Sequence, residues 1–164
     1  MTGAARISDG LDSHDGLTLL SRFVEECLNR VDLGEIGEIF SPMYRDYDPI
    51  PMPWGGSVNH PSGNVRDIYN MVTFLADPRV DALFQLEDAF QSNDRVGYRL
   101  FGHGIVTMSD SGSAQADQSA DHLFNTGAPV RPTAATMDVQ YRSVGIFRIA
   151  SGRFIERWGA VVFE

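Results

Sequence analysis

The sequence predicts a single α+β domain, and three observations carry that reading. Apolar residues recur at spacings of three and four through the first half of the chain, from Leu20 to Leu75, which is a helical period. From Phe84 the period changes to two and stays there in successive runs toward the C-terminus. The chain has 164 residues, enough for one domain with a proper core. Helices first and a run of antiparallel strands after is the α+β order. A long curved sheet with helices over one face leaves a cone-shaped cavity.

Residues 1–15 are polar and rich in Gly, Ser and Asp, and read as a flexible tail ahead of one domain spanning 16–164. Leu20, Phe23, Val24, Cys27 and Leu28 share one face of a helix over about 16–30. Asp32 then reads as an N-cap with Glu35 as its capping-box partner, and Leu33, Ile36, Ile39, Phe40 and Met43 form the apolar face of a second helix that ends at Pro42. The stretch YRDYDPIPMPWGG, from Tyr44 to Gly56, starts as a short strand and is stopped by prolines at 49, 51 and 53. Asn64 caps a third helix presenting Val65, Ile68, Tyr69, Val72 and Leu75, and Pro78 ends it. Alternation around Phe84–Phe90 gives a strand, Ser92-Asn93-Asp94 a turn, and 95–108 a long strand. The small, acidic run 109–121 reads as a mobile loop. Strands 137–150 and 153–163 close the chain around the turn Ala150-Ser151-Gly152.

Composition narrows the partners. The net charge of −9 opposes nucleic acid backbones and anionic membranes, so neither is expected, and no span is apolar and long enough to cross a bilayer. The single cysteine, Cys27, permits no intrachain disulfide and sits on an apolar stripe, as a buried hydrophobe rather than a nucleophile. With no signal peptide at the start, the expected location is cytoplasmic. The four histidines, His14, His60, His103 and His122, show no metal-ligand spacing, so no metal is expected. No glycine-rich strand–helix loop points to a nucleotide and no Gly-x-Ser-x-Gly to a hydrolase nucleophile, so no cofactor is expected.

Three stretches resemble a known family. FVEECLNRVDLGEIGEIFSPMYRDYDP, Phe23 to Pro49, is similar to the opening of the SnoaL-like polyketide cyclases of the nuclear transport factor 2-like superfamily. LEDAFQSNDRVGYRL, Leu86 to Leu100, resembles the family's central hairpin, and GIFRIASGRFIERW, Gly145 to Trp158, its last one. The resemblance covers roughly residues 16–163. It implies a cone of three N-terminal helices on a strongly curved mixed sheet, and a homodimer through the outer sheet face. This fold hosts cyclases, isomerases, epoxide hydrolases, cofactor-free hydroxylases and binding domains, so the fold alone does not name the reaction. Two departures stand out. In the aldol cyclases an Asp three residues before the strand Arg is the acid-base residue, and here Gly145 holds that place before Arg148. In the similar limonene epoxide hydrolases an Asp follows the last-strand Trp by two residues, where this chain has Ala160, while their other Asp and Arg align near Gly102 and Leu100.

Strand parity selects the remaining candidates. If the Gly145 face lines the cavity, so do Tyr141, Ser143, Phe147 and Ile149, then Phe154, Glu156, Trp158, Ala160 and Val162 on the last strand, and Tyr98, Leu100, Gly102 and Gly104 on the long one. That wall is apolar and aromatic with gaps at 102, 104, 145 and 160, suited to a bulky, rigid, hydrophobic ligand or simply to a packed core. Glu156 is the best acid on this face, since burial raises a carboxyl toward the range acid-base work needs. Asp48 is a base, an orienting group or a turn residue. Tyr47 can donate to a carbonyl or epoxide oxygen, and because it and Asp48 alternate, at most one enters the cavity. Tyr98 and Tyr141 can donate to a ligand oxygen. Asn29 contacts ligand or caps its helix, Tyr69 belongs to the core or the site, and Trp54 in the proline-rich stretch is taken as a ligand contact. Asp88 either pairs inside or faces the cavity.

These residues predict a cofactor-free cyclase or isomerase acting on a hydrophobic polyketide-type intermediate of secondary metabolism. Substrate folding supplies much of the rate, and Glu156, Asp48 or Tyr47 any acid-base assistance. Epoxide opening or cofactor-free hydroxylation is the second reading, and sequestration of a hydrophobic metabolite without turnover the third.

Overall fold

Asp15 begins the first helix. Its carboxylate accepts the Leu17 N–H at 3.1 Å and the Thr18 hydroxyl at 3.0 Å, satisfying a donor that a helix start leaves open. The computed structural model describes residues 15–49, 62–108 and 135–163. The expected tail through residue 14, Trp54 and the 109–121 loop lie outside the described residues. Helix α1 (Gly16–Arg22) runs directly into wider, π-type turns over Phe23–Asn29, and together they bury Leu19, Leu20, Phe23, Val24, Cys27 and Leu28. Burial pushes the Cys27 thiol up to about 12, which leaves it an inert apolar group. Val31, at φ 59°, turns the chain. Asp32 then caps α2 (Leu33–Ile39) by accepting the Gly34 N–H at 2.8 Å. Glu35 does not close the expected capping box; it pairs with Arg22 across the two helices.

Helix α2 is shorter than the sequence pattern implies. It stops at Ile39, and Phe40 is already extended, opening strand β1 (Phe40–Asp46). Pro42 accounts for the early stop, because a proline bars the residue before it from the helical region. It is tolerated in β1 because that strand lies at the sheet edge. Asn64 caps α3 (Val65–Leu75), accepting the Arg66 N–H at 2.9 Å. No described helix is long and apolar enough to cross a membrane.

Strands β2 (Val80–Ser92), β3 (Arg95–Met108), β4 (Ala135–Ala150) and β5 (Arg153–Phe163) complete a five-stranded sheet of order β1-β5-β4-β3-β2. Every pairing is antiparallel except β1 with β5, so the sheet is mixed. Asn93, at φ 53°, turns the β2–β3 hairpin, and Ser151 and Gly152, at φ 50° and 71°, turn the last one. The helices cover the inner face. There Phe147 stacks on Phe154 with ring centroids 4.3 Å apart and on Tyr98 at 5.2 Å, while Phe40 meets Phe154 and Phe23 edge-on. These rings anchor α1, α2 and β1 to the middle of the sheet.

Asn29 is not the helix cap, which is Arg30, and its side chain is engaged by the sheet. Its amide nitrogen donates to the Phe84 carbonyl at 2.9 Å and its oxygen accepts the Phe84 N–H at 2.8 Å. The side chain thus mimics a neighbouring strand along the open edge of β2 and fastens the first helical segment to it. Replacing Asn29 with Ala strips both partners from Phe84. It is expected to cost about 1–3 kcal/mol in urea unfolding and to raise amide exchange in β2; a change within a few tenths of that scale means the edge is held by packing instead.

Candidate functional site

The candidate site is set by one extra residue in the last hairpin. Arg148 pairs with Glu156 and Ile149 with Phe154, so β5 carries Ile155 unpaired between those rungs. A bulge of this kind moves every later side chain to the other face. Phe154 therefore points into the core, and so do Arg157 and Gly159, whose partners are Phe147 and Gly145. Glu156, Trp158, Ala160 and Val162 point outward, the reverse of the unbroken alternation expected for this strand.

Arg157 is 2% exposed and fully engaged with its surroundings. Its Nη1 donates to the two carboxylate oxygens of Asp46 at 2.9 and 3.0 Å and to the Asp48 carbonyl at 3.0 Å. Nε donates to the Tyr98 hydroxyl at 2.7 Å and Nη2 to Ser143 Oγ at 3.3 Å. The Tyr98 hydroxyl and Ser143 Oγ are themselves 3.3 Å apart, and Tyr141 hydrogen-bonds Ser143 from the other side. Burial opposes the charge on Arg157, but Tyr98 and Asp46 more than restore it and hold the guanidinium above its ordinary value. Burial likewise pushes the Asp46 carboxyl up, against the downward pull of Arg157. Tyr44 and Tyr141 are also pushed up by burial, so both phenols remain protonated donors.

Two glycines make room for this cluster. Gly145 and Gly159 face each other across β4 and β5. A Cβ on Gly145 would lie 2.8 Å from the Tyr98 hydroxyl and 2.9 Å from the Trp158 carbonyl; one on Gly159 would lie 2.5 Å from the Val144 carbonyl and 3.0 Å from Arg157 Nη2. Tyr98 and Arg157 thus lie on a bare patch of backbone. The other glycines are not gaps either. The Phe84 ring covers Gly102, with Tyr141 beside it, and Ala82 lies against Gly104.

The sequence-predicted residues divide into two groups. Tyr98, Leu100, Tyr141, Ser143, Gly145 and Phe147 share the inner face; Tyr98 and Ser143 join Arg157, while Leu100 and Phe147 are core. Glu156 sits on the outer face, where Arg148 Nε lies 2.8 Å from its carboxylate as a charge contact, without a well-directed hydrogen bond. Tyr47 joins it there, its hydroxyl 3.4 Å from Glu156 and its ring stacked on Trp158 at 5.2 Å. Asp48 is exposed and accepts the Gly159 N–H at 3.0 Å, which locks the end of β1 beside β5. Tyr69 is 38% exposed on α3, outside the core. A second bulge, between Leu86 and Asp88, turns Asp88 outward opposite Arg99. Among the described residues no group of three His, Cys, Asp or Glu side chains converges to hold a metal.

Asp46 and Arg157 are the residues of this candidate site that sequence reasoning missed. The signal for Arg157 was a break in alternation: Phe154-Ile155 is an apolar doublet and Glu156-Arg157 a charged one, so period two fails at the bulge.

Solved structures share this architecture over nearly the whole chain. IdmH from Streptomyces antibioticus, a candidate polyketide cyclase, is 19% identical over 90% of this chain and 92% of its own, at a TM-score of 0.55. The fold is SnoaL-like and nuclear transport factor 2-like. AclR from Streptomyces galilaeus, a candidate hydroxylase, has this SnoaL-like architecture at 19% identity, covering 90% of this chain and 88% of its own, with a TM-score of 0.55. An epoxide hydrolase-like protein of M. tuberculosis has it at 11% identity, 90% and 82% coverage and a TM-score of 0.55. No family model matches the sequence, and no curated protein does either. Identity this low carries the fold alone.

The ion pair is testable by its coupling. Asp46→Leu or Arg157→Met alone leaves a buried partner uncompensated and is expected to cost about 3–5 kcal/mol in urea unfolding. The double replacement Asp46→Leu with Arg157→Met is expected to cost far less than the sum, and losses that simply add show the two groups to be uncoupled.

Proposed function

We propose that the protein is a cofactor-free enzyme that closes a ring in, or isomerises, a hydrophobic polyketide-type intermediate by hydrogen-bonding a substrate oxygen through Tyr98. One observation carries this reading. The Tyr98 hydroxyl accepts from Arg157 Nε at 2.7 Å and sits 2.8 Å from where a Cβ on Gly145 would be. The position from which the resembling cyclases deploy an Asp is here occupied by a phenol. Because its oxygen already accepts from Arg157, its own proton is left for Ser143 or for a ligand. Asp46 and Ser143 hold the guanidinium in place, so the donor is preorganised and little reorganisation is needed as charge develops on the substrate oxygen. The carboxylates proposed from the sequence are engaged elsewhere, Glu156 on the outer face and Asp48 on the Gly159 N–H. The reaction therefore leans on substrate folding and oxygen polarisation more than on proton transfer.

The test is turnover of a panel of linear polyketide-type substrates, followed by mass spectrometry. Tyr98→Phe is expected to lower kcat about 10²–10³-fold with the fold intact. Activity that survives Tyr98→Phe and collapses in Glu156→Gln overturns the reading. Tight binding with no conversion by the native protein favours the sequestering alternative.

A second reading has its own support. Arg157, Asp46, Tyr98 and Ser143 form a polar group of the kind that holds a water for epoxide opening, and the fold is shared with an epoxide hydrolase-like protein. Incorporation of labelled solvent oxygen into product selects this reading, and its absence selects ring closure or isomerisation.

We also propose that two copies pair through the outer sheet face. Leu83, Phe90, Ile105, Val144, Ile146 and Val162 are all more than one-third exposed there, and burying them would remove apolar area from water. Light scattering is expected to give twice the chain mass, and Val144→Asp with Ile146→Glu to give one chain mass; a native monomer removes this part of the proposal.

A further inference from the structure

One end of the outer sheet face carries a titratable pair that the chemistry above leaves unused. His103 on β3 places its Nε2 2.9 Å from Asp138 Oδ1 on β4. Among the described residues it is the one histidine. Its surroundings on that face are apolar. Leu83 is its partner across β2, and Phe101 and Ile105 lie two residues to either side of it. Leu83 and Ile105 belong to the surface proposed above to meet a second copy. The imidazole and the carboxylate are 47% and 69% exposed, so closing that surface takes both out of water.

Charge decides the state in which they can be buried. Asp81 faces the same way from β2, beside Ile105. From β4 come Asp138 itself and Arg142, whose guanidinium lies over the Phe101 ring at 5.4 Å. Further along β3, Arg99 is matched by Glu87 at 2.9 Å and adds no net charge. Two carboxylates therefore stand against one guanidinium around His103. With a neutral imidazole this end of the face has a negative charge in excess; with an imidazolium it balances. Taking an uncompensated carboxylate out of water costs far more than taking out a hydrogen-bonded ion pair. Two copies also bring the same excess toward each other, on chains that each carry a net charge of −9. An imidazole gains its proton between about pH 5 and 8, so it is the group that lifts this penalty near neutrality.

We infer that the association of two copies is gated by pH through His103 and Asp138, which enter the interface as an imidazolium–carboxylate pair. This rests on the outer-face pairing proposed above. Each chain takes up a proton as it pairs. Proton uptake on association means that the complex tightens as pH falls through the imidazole range and loosens as pH rises above it.

Sedimentation velocity over a dilution series, at constant ionic strength, tests this. The native association constant is expected to be roughly tenfold or more greater at about pH 6 than at about pH 8. His103→Gln keeps a hydrogen-bonding side chain that cannot charge, and retains His14, His60 and His122. It is expected to pair at both values as weakly as the native protein does at the higher one. Asp138→Asn removes the excess charge, so it is expected to pair more tightly than native at the higher pH and to gain nothing on acidification. A native complex insensitive to pH, or one that tightens as pH rises, overturns the inference and leaves the pairing of copies standing. So does a native pH response that persists in His103→Gln or in Asp138→Asn. A native monomer at both values across the whole series removes the pairing and this inference with it.

Discussion

A guanidinium with 2% of its surface exposed constrains everything around it. An uncompensated cation at that depth would cost several kcal/mol, so partners must come from every neighbouring strand. They do. Position β5 between β1 and β4, and Arg157 reaches Asp46 and Asp48 on one side and Ser143 on the other. Tyr98 comes from β3, one strand further away, and can reach only because Gly145 on the intervening strand carries no side chain. The parallel pairing of β1 with β5 has the same logic, since Asp46 and Arg157 are partners in that ladder.

This constraint recasts the loss of an acid at position 145. An Asp there would have to start 2.8 Å from the Tyr98 hydroxyl and 2.9 Å from a backbone carbonyl, distances no real Cβ keeps. An acid at 145 and a phenol reaching Arg157 are therefore alternative solutions for one volume. The chain contains the second. A carboxylate can shuttle a proton near neutral pH, whereas a protonated phenol braced by a cation is better suited to donating a hydrogen bond to a growing negative charge.

The fold was legible because it rests on periodicities that extend over many residues. Three helical stripes and four alternating runs survive an error at any single position, and Asp32 and Asn64 sit at helix starts as capping residues should. The inner faces of β3 and β4 were legible for the same reason, and they placed Tyr98, Ser143 and Gly145 together. The last strand was not, because one unpaired residue, Ile155, inverts every assignment beyond it. Glu156 and Trp158 exchanged places with Arg157 and Gly159 by that single step. The second helix end was misjudged by a shorter-range effect, the restriction Pro42 imposes on Ser41. Asn29 belongs to neither class. What it does depends on a partner 55 residues away, and no local pattern encodes that.

The bulge also explains why the outer face of the same hairpin carries so much aromatic and charged character. Once Arg157 turns inward, Glu156 and Trp158 must turn outward together, beside Tyr47 just past β1 and Arg148 from β4. Tyr47 stacks on Trp158, Arg95 lies over the other side of the indole at 5.8 Å, and Arg148 sits against Glu156. These contacts clamp β1 to β5 from outside at the same level where Asp46 and the Asp48 carbonyl hold Arg157 from inside. An edge strand joined by only a few rungs, with an irregular register between Phe40 and Arg45, is poorly held by its ladder alone. Held from both faces, it keeps Asp46 within reach of Arg157, and through Arg157 it sets where the Tyr98 hydroxyl stands. The residues that looked catalytic from the sequence thus bear on the site through the strand they secure.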